Sequence, residues 1–66
     1  MKAYDFVKRA NDVRGNFMRH GIDHDTALNR ILTCAERINK LNPAVAEGRE
    51  EAVAAVWAIY AEVQNK

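Results

Sequence analysis

Residues 52–63, AVAAVWAIYAEV, hold one charged side chain, Glu62. With Arg49, Glu50 and Glu51 just before it, this stretch has the spacing of a helix that is apolar on one side and alanine-rich on the other. A chain of 66 residues has few places to hide such a helix, and that shortage limits the fold more than any other feature. At this length a single core barely offsets the conformational entropy lost on folding. Small domains therefore lean on disulfides, a structural metal, very good helix packing or self-association. The one cysteine, Cys34, excludes an internal disulfide and fits a reducing compartment.

Hydrophobic residues make up 48% of the chain and charged ones 29%, too apolar a mixture for a disordered segment. No apolar run approaches the about 18 residues that a membrane span needs, and the first fifteen residues lack the continuous apolar stretch of a secretory signal. A cytoplasmic protein with no membrane partner is expected. The net charge is only +1 but unevenly spread: residues 1–40 carry eight Lys/Arg against five Asp/Glu, and residues 41–66 carry two against four. A blanket basic surface for nucleic acid is absent, which leaves a local basic patch on the first two helices.

Helical spacing divides the chain into three. In the first segment, residues 3–20, Phe6, Ala10, Val13 and Phe17 recur at steps of four, three and four and form a core stripe. Gly15 weakens the second half and invites a break there. Gly21 is placed to cap the end in the left-handed conformation, with Ile22 folding back on the last turn. In the second, residues 25–41, Leu28, Ile31, Leu32, Ala35, Ile38 and Leu41 make an apolar arc that Ala27 and Cys34 widen, so this helix should touch both others. Asp23 or Asp25 can cap its start. Asn42-Pro43 ends it, and the third helix begins near residue 44 or, because of Gly48, near residue 49, and runs to residue 64. Val45, Ala52, Val53, Val56, Ile59, Tyr60 and Val63 share its core face, and Trp57 lies between that face and the alanines. The expected fold is all-α: one domain over residues 1–66, a three-helix up-down-up bundle packing as a homodimer.

Few residues carry chemistry. His20, Asp23, His24, Asp25 and Cys34 hold the donor atoms of a metal site, but the two histidines straddle Gly21 and a helix end, so no metal site is expected. Cys34 lies in an apolar arc, where a thiol acts as a small hydrophobe rather than a nucleophile. Glu50 and Glu51 sit at a helix start, where acids are favoured by the dipole alone. No enzyme, cofactor or small-molecule substrate is expected.

Two readings remain. The favoured one is a small adaptor, regulatory or inhibitor protein, of bacterial or phage type by its size. It would self-associate and dock on a partner protein through Tyr4, Val7, Met18, Ala54, Trp57, Ala58 and Ala61, an apolar surplus that a lone core cannot cover. The alternative is a helix-turn-helix-like DNA-binding regulator that presents Thr26, Asn29, Arg30, Thr33 and Arg37 of its second helix to the major groove.

Overall fold

A computed structural model describes residues 2–42 and 48–66. They form three helices, α1 (Ala3–Met18), α2 (His24–Asn39) and α3 (Arg49–Gln64), with no strand among the described residues. The expected all-α class is therefore observed, and each helix packs against the other two. The part of the third helix expected from residue 44, with Val45 on its apolar face, lies outside the described residues.

α1 opens with the Asp5 carboxylate accepting a hydrogen bond from the Lys2 amide at 3.3 Å, so an otherwise free donor is satisfied and an acid sits at the positive end of the dipole. Phe6 and Ala10 of the expected stripe are buried, and Val13 and Phe17 are packed on the core at partial exposure. The helix runs unbroken through Gly15, because packing on either side holds the turn that glycine alone would loosen.

The end of α1 differs from expectation. Gly21 is not the left-handed residue; His20 is, with φ 62°. The Gly21 amide donates to the Asn16 carbonyl at 2.7 Å and the His20 amide to that of Phe17 at 3.0 Å, the paired bonds of a Schellman cap. Gly21 follows one position later, where a Cβ would stand a tight 3.2 Å from the Asn16 carbonyl oxygen. Ile22 then folds back on the core as expected.

At the start of α2 the Asp23 carboxylate accepts from the Thr26 amide at 3.2 Å and from its hydroxyl at 2.5 Å. Gly48 caps the start of α3, and its φ of 74° favours glycine. The largest fully buried side chains are Ile31, Ile38, Val56 and Val63. Around them the buried positions are mostly alanine: Ala3, Ala10, Ala27, Ala35 and Ala52. Such small side chains let helix axes approach closely and leave a thin core. The molecule measures only 13 Å along its shortest principal axis, against 38 Å along its longest.

Stability of a chain this size is about 3–10 kcal/mol. Ile38→Ala, at a position with no exposure, should cost about 2–5 kcal/mol and leave little folded protein in a urea titration. Two substitutions should act in the other direction. His20→Gly removes the left-handed strain, worth about 1 kcal/mol. Gly15→Ala gains about 0.5–1 kcal/mol, since its new Cβ meets the mobile end of Arg19 at 3.4 Å. Each should raise the thermal midpoint by several degrees.

Candidate functional site

The side chains with metal-binding or nucleophilic chemistry are committed elsewhere. His24 is the first residue of α2, and its ring meets Phe17 of α1 at 5.6 Å between centroids. His24 Nε2 lies 3.0 Å from the Val63 carbonyl oxygen and, since a carbonyl only accepts, donates to it. This imidazole joins the end of α1, the start of α2 and the end of α3, a role hidden in a sequence where it resembles a loop residue. Asp23 is a cap. No group of three or more His, Cys, Asp or Glu able to hold a metal is found among the described residues.

Cys34 is buried and free. Desolvation pushes its thiol above the ordinary value, against the smaller opposing pull of the Arg9 and Arg37 charges. A cleft of about 250 Å³ lies between α1 and α3, lined by Tyr4, Val7, Gly48, Glu51, Ala52 and Ala55. It falls below the roughly 300–1,000 Å³ of drug-sized ligand sites and offers one ionisable carboxylate.

What the surface does hold is aromatic and aliphatic side chains in water. Tyr4 is 63% exposed, Trp57 42% and Met18 40%. Ala54, Ala58 and Ala61 are exposed as well. Val7 is corrected: at 8% exposure it belongs to the core, because it lies on the flank of α1 that turns toward α3.

The remaining expected interface residues divide between two faces. On α3, Glu62 pairs with Arg14 of α1 at 2.9 Å, and Glu51, Ala52 and Ala55 share the cleft with Tyr4 and Val7, so this flank of α3 faces α1. At about 100° per residue, Ala58 projects near Glu62 and Glu51. Val53, Trp57 and Tyr60 project from the opposite flank, toward α2. Trp57 and Tyr60 meet there edge to face at 5.3 Å. The α1–α3 face therefore carries Tyr4, Met18 and Ala58, while Ala54 and Ala61 form the ridge between the faces. Trp57 stands beyond that ridge.

The five positions of the DNA-binding alternative line up along the outside of α2. Asn29, Arg30, Thr33 and Arg37 are exposed, and Thr26 is partly so. The Thr26 amide and hydroxyl are both engaged by Asp23, and the Thr33 hydroxyl donates to the Asn29 carbonyl at 2.9 Å. That occupies polar groups a base edge would need, and it leaves a carboxylate at the helix end nearest a phosphate.

No helix among the described residues is long and apolar enough to cross a membrane. Comparison with family models, curated proteins and solved structures gave no match.

Two outcomes follow. Cys34 should react with a thiol reagent far more slowly in the native protein than in denaturant, where one equivalent is titrated at once. The bonds from Thr26 hold the Asp23 carboxyl below its ordinary value of 3.8. Because the folded value is depressed, this stabilisation is complete above pH 3.8 and is lost as pH falls through the folded value. Asp23→Ala should accordingly lower the thermal midpoint at neutral pH, with the gap from wild type closing in acid.

Proposed function

We propose that this protein is a small non-enzymatic interaction module, an adaptor, regulatory or inhibitor protein that acts by docking and that self-associates through apolar helix faces. The observation that carries this reading is the exposure of Tyr4, Met18 and Trp57 at 63%, 40% and 42%. Covering three such side chains removes apolar area from water, which is the largest favourable term in most protein association.

For the homodimer, the α1–α3 face is the better seam. Along α1, Tyr4 and Met18 are accompanied by the cations Lys8, Arg14 and Arg19. Along α3, Ala58 is accompanied by the anions Glu51 and Glu62. A basic strip beside an acidic strip becomes self-complementary when a second copy is turned by a two-fold axis, because each strip then meets its opposite. In this reading the bundle runs up, down and up, with α1 and α3 side by side and parallel. The pairing of Tyr4 and Val7 with Glu51 and Ala52 near the helix starts, and of Arg14 with Glu62 near their ends, supports that course. The expected cytoplasmic location belongs to the same proposal, in keeping with the free buried thiol.

Sedimentation equilibrium over a wide concentration range tests the reading. Wild type should associate, and Ala58→Glu combined with Tyr4→Ser should weaken association roughly ten-fold or more while circular dichroism shows the helices intact. A wild type that stays monomeric up to millimolar concentration removes self-association from the proposal.

A further inference from the structure

The cleft between α1 and α3 lies where both helices begin. It holds about 250 Å³, with Val7, Ala52 and Ala55 on its walls and the exposed Tyr4 and Glu51 at its mouth. A cavity of about 150 Å³ admits a benzene ring, so this one admits a phenol. Its chemistry suits one too: apolar walls for the ring and, at the mouth, a carboxylate to accept from the hydroxyl.

The chain carries such a phenol on the same face. Among the described residues Tyr4 is the most exposed large hydrophobic side chain, at 63%. At about 100° per residue it points straight out from the α1–α3 face, in line with Asn11 and Met18 at steps of seven. Lys8 stands beside it, with Nζ 5.4 Å from the ring centroid. Glu51 and Ala58, also seven apart, form the matching outer line on α3.

Charge decides how a second copy lies on this face. A two-fold axis running across the helices lays α1 on α1 and α3 on α3, whereas an axis running along them lays α1 on α3. Within one copy Arg14 and Glu62 neutralise each other at 2.9 Å. What is left is Lys8 and Arg19 on α1, with Asp12 beside them, and Glu51 on α3, whose one cation, Arg49, projects from the opposite flank. Two cations less one anion leave the α1 strip at +1, against −1 on α3. The crosswise axis sets like against like. The lengthwise axis brings Lys8 to Glu51 and the start of α1 to the start of α3, at the height of the cleft.

We propose that the cleft is a socket for Tyr4 of a second copy. The two-fold axis runs parallel to α1 and α3, each Tyr4 ring enters the other copy's cleft, and its hydroxyl donates to the Glu51 carboxylate there, with Lys8 of the incoming helix alongside. This rests on the self-association proposed above and deepens it, since neither copy can fill its own socket and each site is completed by its partner.

Sedimentation equilibrium of the full chain and its variants tests the socket, with circular dichroism as the check on folding. Tyr4→Phe keeps the ring but loses a hydrogen bond to a carboxylate, and should weaken association about ten-fold. Ala55→Leu fills the cleft from its wall and should weaken association to a similar degree. Lys8→Glu and Glu51→Lys, both at exposed positions, should each weaken it, while the two together in one chain exchange the charges across the axis and should bring the affinity back close to wild type. A wild type that associates but is indifferent to Tyr4→Phe and Ala55→Leu leaves the cleft to a different occupant and overturns the inference while self-association stands. A double charge exchange that is weaker than either single variant excludes the lengthwise axis and overturns it as well. A monomeric wild type removes both the socket and the self-association beneath it.

Discussion

Alanine sets the dimensions of this protein. Ala3, Ala10, Ala27, Ala35 and Ala52 all face the interior, and the space between the helices is filled by Ile31, Ile38, Val56 and Val63 with Phe6 at the side. Small side chains at helix contacts bring backbones together and improve the fit of each contact, but beyond Phe6 they leave little volume for further rings. Phe17 and Tyr60 consequently sit at the margin, and Tyr4 and Trp57 are expelled into water. The same choice that makes a 66-residue bundle close-packed also gives it apolar faces to be covered.

Charge then sorts those faces. Arg9, Arg30 and Arg37 lie on the side of the bundle where α1 meets α2, with Arg9 and Arg37 both acting on Cys34. The α1–α3 side mixes cations on one helix with anions on the other and joins them through the exposed Arg14–Glu62 pair. The α2–α3 side carries the exposed Trp57 with Asp25, Glu36 and Glu50 offset by Lys40 and Arg49. An exposed ion pair contributes about 0–1 kcal/mol to folding, so these charges matter less for holding the bundle together than for deciding what each side attracts and repels. A chain whose net charge is only +1 can still present three distinct surfaces.

Much of the fold was legible in the sequence because helical spacing is a local signal. The stripe of Phe6, Ala10, Val13 and Phe17 and the arc of Ile31, Ala35 and Ile38 face inward as spacing requires, and α3 ends at Gln64 where expected. What was not legible depends on contacts between distant residues. The left-handed position falls on His20 rather than Gly21 because the backbone bonds to Asn16 and Phe17 close one residue earlier, with the glycine kept for clearance. His24 passes for a loop residue until α3 brings the Val63 carbonyl to it. The interface set drawn from the sequence treated the surplus of α1 and α3 as one surface. Since α3 has alanine along its outer ridge, spacing alone could not separate Trp57 from the flank of Glu51 and Glu62 that faces α1.

The account rests on a core too thin to admit Trp57, and the accessibility of that ring in the dilute, isolated protein tests it most directly. At the lowest concentration where the chain is folded and monomeric, acrylamide should quench Trp57 readily, as its 42% exposure requires, though less than in the urea-unfolded chain, with emission shifted toward that of indole in water. A folded monomer whose Trp57 emits at short wavelength and resists quenching would place the ring inside the bundle. The apolar surplus, and the docking role built on it, would then be contradicted.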